Sequence, residues 1–117
     1  MIRRETDFGN IHVSNSVFTK IAGNAAMNCF GVKGMAMRSM SDGLVHLLRR
    51  ESISKGVLVT TNADGSISID LHIMVDQGVN IPVLGDSIVT EVRYMVSKQT
   101  DTVVQDVNVY VDSMILD

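Results

Sequence analysis

Three histidines, one cysteine and thirteen acidic side chains are the residues of this 117-residue chain best suited to chemistry. Cys29 would need a nearby base to act as a nucleophile. It lies near the end of a helical stretch, beside Phe30 and far in sequence from every histidine, which reads as a buried, inert thiol. His12 and His72 alternate onto the polar side of strand-like segments. Were those strands neighbours, the pair would meet Asp70 in a His-His-Asp set able to hold a transition metal. No fixed ligand spacing supports such a site, so solvent-facing histidines with no metal and no cofactor are expected, and His46 is read as a surface residue on a short helix. Asp70, Asp76, Asp106 and Asp112 take the outward parity of the two clearest strands. Acid–base catalysis by such carboxylates requires an enclosed pocket and one raised pKa. Nothing in the sequence encloses them, and a solvated acidic face is expected.

Other motifs are sparse. The sequence has no Gly-x-Ser-x-Gly elbow, no phosphate-cradling glycine-lysine loop and no dinucleotide fingerprint. Gly31-Val32-Lys33-Gly34 matches the four-residue loop with which KH domains clamp a nucleic-acid backbone. A strand pattern follows it here instead of a helix, so turn punctuation is the preferred reading and RNA binding through Lys33 the weaker one. Met35, Met37 and Met40 are expected to fill core, while Met74 and Met114 fall on outward strand parities, where adaptable contact surface is the alternative.

The elements that must position these residues follow from periodicity. Gly9 to Val13 alternates as a short strand. Ser14 is placed to cap a helix from Asn15, with Val13 and Phe18 at staple spacing, and Val17, Ile21 and Ala25, flanked by Phe18 and Ala22, form its apolar stripe. Gly31 supplies its left-handed stop. Val32 to Arg38 reads as a second strand, and Ser41-Asp42 as the cap of a short helix through Leu44, Val45, Leu47 and Leu48 that ends at Arg49 and Arg50. Lys55–Thr61 and Ser66–Asp76 flank Asn62-Ala63-Asp64-Gly65 as a hairpin. In its second strand Ile67, Ile69, Leu71, Ile73 and Val75 point inward, opposite Ser66, Ser68, Asp70, His72, Met74 and Asp76. Pro82 opens the last helix, in which Leu84, Ile88, Val92 and Met95 recur at helical spacing. The final strand sets Val107, Val109 and Val111 against Asp106, Asn108, Tyr110 and Asp112. The predicted fold class is therefore α+β: a two-layer sandwich in β-α-β-α-β-β-α-β order, helices packed on one face of a mixed sheet, in a single domain over 1–117.

Composition excludes several classes. With 45% apolar and 20% charged residues the chain can bury a core and is not disordered. No uncharged run approaches the ~18 residues of a membrane span, and the N-terminus lacks the apolar stretch of a signal peptide. A lone cysteine precludes an internal disulfide and fits a reducing cytoplasm. The net charge of −3 divides unevenly: residues 1–50 carry seven Lys/Arg and three Asp/Glu, residues 51–117 three and ten. The acidic half repels nucleic acid and anionic lipid and attracts a basic protein surface.

Taken in order, Gly9-Asn10-Ile11-His12-Val13-Ser14, Ala25-Ala26, Cys29-Phe30-Gly31-Val32-Lys33-Gly34-Met35-Ala36, Lys55-Gly56-Val57, Gly78-Val79-Asn80-Ile81 and Val107-Asn108-Val109-Tyr110-Val111 resemble the alkaline shock protein family of Gram-positive bacteria, the envelope stress response proteins. The resemblance spans roughly residues 5 to 115 and is nearest to the short type lacking charged tails. Leu84-Gly85-Asp86 replaces a more helix-friendly pair, and Asp101 stands where the family often places Gly. The resemblance implies a cytoplasmic, non-enzymatic interaction or scaffold protein of envelope homeostasis. Such a protein self-associates as a homo-oligomer or docks a protein partner, membrane-anchored in some members, at the inner face of the membrane without inserting itself. It also implies, as an alternative, an accessory to a neighbouring dihydroxyacetone-kinase-like or fatty acid kinase in lipid metabolism. The family supplies no catalytic residues. The candidate partner surface is Asp70, His72, Met74, Asp76, Asp106, Asn108, Tyr110 and Asp112, with Arg49 and Arg50 as an opposite electrostatic pole.

Overall fold

The ten residues Ile67–Asp76 form the central strand to which most of the molecule is attached. A computed structural model describes residues 1–38 and 44–116. In chain order the elements are β1 (Ile2–Thr6), β2 (Gly9–Val13), α1 (Asn15–Met27), β3 (Val32–Arg38), β4 (Val45–Leu47), a 3-10 turn (Arg50–Gly56), β5 (Val57–Thr61), β6 (Ile67–Asp76), α2 (Ile81–Thr100) and β7 (Val104–Ile115). Along one edge of β6, β5 pairs antiparallel with residues 67–71 and β3 with residues 73–75; β4 lies beyond β3. Along the other edge runs β7, parallel to β6. Parallel neighbours need a crossover connection, and α2 provides it.

The core lies between the two helices and one face of this sheet. Ile67, Ile69, Leu71, Ile73 and Val75 are all fully buried, as their parity requires. Against them pack Phe18, Ala22, Ala25 and Ala26 of α1 and Leu84, Ile88, Val92 and Val96 of α2. The fold class is thus the α+β arrangement expected, with helices on one side of a mixed sheet, but the element order differs in its details.

The segment read as a short helix ending at Arg49 and Arg50 is β4 followed by the 3-10 turn. Ala36, Met37 and Arg38 pair with Leu47, His46 and Val45, and this ladder prevails over a weak helical spacing. Its expected cap, Ser41-Asp42, lies outside the described residues, as does Met40. A strand not foreseen, β1, pairs with β2 in a separate two-stranded sheet, Arg3 opposite His12. In α1 Ala25 and the flanking Phe18 and Ala22 of the expected stripe are buried, but Val17 is exposed and Gly23 and Ala26 join the buried side. In α2, likewise, Val96 is the buried residue where Met95 was expected.

Three local details explain sequence signals. Asn80 Oδ1 accepts from the Val83 amide at 3.1 Å, capping α2 just before Pro82. The β5–β6 turn is fixed by Asp64 Oδ1, which accepts from the Ser66 amide (2.9 Å) and hydroxyl (2.6 Å); these bonds hold the Asp64 carboxyl below its usual pKa. Asp101 ends α2 in the left-handed region, at φ 55° and ψ 30°. That conformation favours Gly, and Asp is among the side chains that tolerate it.

Gly56 has a different cause. A Cβ there would meet the Ala36 carbonyl at 3.0 Å, Met35 Cβ at 3.1 Å and the His72 carbonyl at 3.3 Å. Glycine lets the chain enter β5 squeezed between the backbones of β3 and β6.

Candidate functional site

The face of the sheet turned away from the helices carries an ordered row of polar side chains across β6 and β7. Because the strands are parallel, Ser68 lies beside Asp106, Asp70 beside Asn108 and His72 beside Tyr110. Asn108 Nδ2 donates to Asp70 Oδ1 at 2.9 Å. The His72 and Tyr110 rings stack, centroids 4.8 Å apart and planes 14° from parallel. His72 Nδ1 lies 2.9 Å from Asp112 Oδ2.

Two bulges in β7 make these contacts. The pairing shifts between Ile67 and Ser68, and again between Ile73 and Met74, so Gln105 and Asp112 are extra residues on β7. Bulges re-aim side chains. Gln105 Oε1 accepts from Asn62 Nδ2 (2.8 Å) and the Ser66 hydroxyl (3.3 Å), while Asp112 reaches back to His72. Arg93 of α2 donates to the carbonyls of Val104 and Gln105, at 2.8 and 2.7 Å, where the first bulge disturbs the ladder. The acids Asp70 and Asp112 are therefore hydrogen-bonded parts of a rigid surface, while Asp76 and Asp106 remain exposed.

The face also carries apolar side chains. Leu58 of β5, paired with Asp70, is exposed on it, as is Tyr110. Leu58 escaped the sequence reading because its strand is short; its alternation between Val57 and Val59, both buried, is the signal that locates it. Met74 departs from expectation in the other direction. It has outward parity but is only 7% exposed, since it pairs with Gly34, and Leu47 of β4 occupies the space a Gly34 side chain would fill. Met114 is exposed as expected, although the second bulge brings it into register with Val75.

The structure separates the other candidates. His12 belongs to the β1–β2 ribbon and not to the sheet of His72, so the His-His-Asp grouping does not form. Among the described residues no three His, Cys, Asp or Glu side chains are placed to hold a metal ion. Arg49 precedes the 3-10 turn beside β4, at the sheet edge opposite β7, and the Arg50 side chain lies outside the described part. The Gly31–Gly34 segment joins α1 to β3, with Gly31 at φ +98° as the turn and Gly34 inside the strand. Chemically, a carboxylate-held imidazole is the orienting half of a nucleophilic triad. Among the described residues no hydroxyl or thiol completes it with a hydrogen bond to the His72 ring. The His72–Tyr110–Asp112 group presents a stacked, hydrogen-bonded polar and aromatic surface, in which Tyr110 is of a residue type enriched where proteins meet.

Cys29 is half-buried just past the end of α1, its thiol 3.6 Å from the Ala25 carbonyl. Burial chiefly, and the Glu91 carboxylate secondarily, push its pKa up. The thiolate fraction at pH 8 is accordingly small, and alkylation by iodoacetamide is expected to run slower than in the unfolded chain. Glu91→Gln removes the repulsion felt by the thiolate and is expected to quicken the reaction in the folded protein; an unchanged rate would show that the carboxylate is not felt.

Residues 3–116 match the profile of the alkaline shock protein 23 family, described as having a cell envelope-related function. The chain is 37% identical to the uncharacterized protein YloU of Bacillus subtilis (strain 168), over 97% of this chain and 94% of that one. It is 33% identical to the uncharacterized protein Spy1614 of Streptococcus pyogenes serotype M6, over 97% and 93% of the two chains. With the uncharacterized protein YqhY of Bacillus subtilis it shares 29% identity over 95% and 81%. No solved structure matches the chain. No helix among the described residues is long and apolar enough to cross a membrane.

Proposed function

Since the chain belongs to the alkaline shock protein 23 family of cell envelope-related proteins, we propose that it is a non-enzymatic interaction module of envelope homeostasis that docks a protein partner through the open face of β6 and β7. The observation that carries this reading is the ordered row Asp70–Asn108 and His72–Tyr110–Asp112, with Leu58 and Tyr110 exposed beside it. Aligning these groups in one plane costs side-chain entropy, and a partner surface gives that order a use. The acids Asp70, Asp106 and Asp112 favour a basic partner and make the association salt-sensitive. The protein is placed by this reading in the cytoplasm, at the inner face of the membrane through its partner.

A photoreactive side chain in place of Tyr110, introduced in cells at native expression, tests it. The expected result is discrete adducts of fixed mass that are absent when the same label replaces Lys20, on the exposed side of α1. Equal labelling from both positions, or none from position 110, overturns the assignment.

A further inference from the structure

β7 is bound into the sheet along one edge only. Its partners, Ile67 to Asp76, all lie on β6, and among the described residues no strand pairs with its other side. The Ile67 amide donates to the Val103 carbonyl at 3.0 Å. Peptide groups alternate in direction along a strand, so Ile69, Leu71 and Ile73 also bond toward β7, to the residues flanking their own partners, which are Asp106, Asn108 and Tyr110. Val107, Val109 and Val111 therefore turn their N–H and C=O groups away from the sheet. Arg93 occupies the carbonyls of Val104 and Gln105. Among the described residues no hydrogen-bonding group reaches the outward peptide groups of the three valines.

An open edge invites pairing, and proteins guard such edges with lysine, proline, bulges or short strands. β7 is 12 residues long and contains neither lysine nor proline. Its two bulges, at Gln105 and Asp112, flank Asp106–Val111, which pairs in unbroken register with Ser68–Ile73. What guards this stretch is charge. Asp106 and Asp112 stand on the open face with Asp70 beside them on β6, neither strand contains Lys or Arg, and His72 is engaged with Asp112. A second copy of β7 would bring the same acids to the contact, and like charges across a strand pair repel. On the helix side the stretch presents Val107, Val109 and Val111, of which the last two are only partly buried against the core. A strand added here would set its side chains alternately beside carboxylates and beside valines.

We infer that the outer edge of β7 over Val107–Val111 binds an extended segment of the partner as a further strand, one in which Lys or Arg alternates with β-branched residues. In strand addition the backbone bonds supply affinity and the alternate side chains specificity. Here the cations fall beside Asp106 and Asp112, and the apolar residues extend the core past Val109 and Val111. The inference rests on the docking reading of the β6–β7 face and specifies the form of the partner.

Amide hydrogen exchange on the purified full chain, followed residue by residue by NMR, tests it. In the free protein the amides of Val107, Val109 and Val111 are expected to exchange faster than those of Asn108 and Tyr110, which are bonded to β6. The probes are two end-blocked peptides of equal length, one alternating lysine with valine and the other glutamate with valine. In excess, the lysine peptide is expected to slow the three valine amides by about tenfold or more, with less effect at high salt, and the glutamate peptide to leave them unchanged. Asp106 is exposed, so Asp106→Lys is expected to melt as wild type does and to weaken the protection given by the lysine peptide. The proposal is overturned if the lysine peptide protects none of the three, if the glutamate peptide protects them equally, or if Asp106→Lys changes nothing. It is overturned equally if the three amides are already protected in the free protein, as they would be with a second copy on the edge. The test needs no cellular partner. Its failure beside successful Tyr110 labelling leaves a partner held by the side chains of the face alone, and failed labelling leaves the edge result standing.

Discussion

Leu71→Ala is expected to lower the free energy of unfolding by roughly 3–5 kcal/mol, enough to move a thermal midpoint by about 10–20 °C. Leu71 is fully buried at the middle of β6, paired with Val57 on one side and Val109 on the other. Truncation leaves a cavity that three strands and two helices would have to collapse around, and close-packed cores relax only in part. The neighbouring Asp70→Ala provides the contrast. It removes the bond from Asn108 on the opposite face and leaves no buried void, so its cost is expected to stay near 1 kcal/mol or below. Chemical denaturation of both variants distinguishes the two faces; comparable losses would mean that the sheet is buried on both sides.

The second large effect is expected at Gly31→Ala, at roughly 2–4 kcal/mol. Two costs combine there. At φ +98° an alanine is strained, and its Cβ would approach Val79 Cγ1 to 2.8 Å. Gly78 is the natural control, since it too has positive φ, +86°, but a Cβ there meets nothing within 4 Å. Gly78→Ala is expected to cost about half as much. Val79→Ala introduced into Gly31→Ala is expected to recover part of the loss, the sign of a steric coupling between the two sites. Equal effects at Gly31 and Gly78 would remove the steric part of the account.

Much of the architecture was legible where a single period runs long enough. From Ile67 to Asp76 the alternation leaves one choice of face, and in α2 the helical spacing persists over the length of the helix. Leu44 to Leu48 is too short for that: its apolar residues suit either period, and the decision rests on pairing with β3, which is not written locally. Ile2 to Thr6 carries no alternation because only Ile2, paired with Val13 at the base of the ribbon, packs against the core. The open face of β6 and β7 was read in outline from parity, which placed Asp70, His72, Asn108 and Tyr110 together. Its finer geometry depends on two bulges. Gln105 and Asp112 are aimed by an extra residue each, and a period-two reading has no term for that. Met74 shows the same limit: it pairs with Gly34, over which Leu47 of β4 lies, and the parity of β6 contains neither neighbour.

The opposed charges of the two halves also take on a clearer form. Two acids of β6 and β7, Asp70 and Asp112, are held by hydrogen bonds on one face, whereas Arg3 and Arg4 belong to the ribbon and Arg49 to the far sheet edge. Under the proposed docking, a partner of the β6–β7 face would meet these two carboxylates and the stacked His72–Tyr110 pair between Leu58 and the β7 edge.

The most direct measurement of that claim is the size of the protein in gently lysed cells, wild type against the Leu58→Asp, Tyr110→Asp double variant. Both side chains are exposed, so the variant is expected to keep the wild-type melting temperature within a few degrees. If the β6–β7 face holds the partner, the wild type elutes in a complex and the variant lacks the partner from it. A variant that retains the same partner at the same elution position would contradict the account.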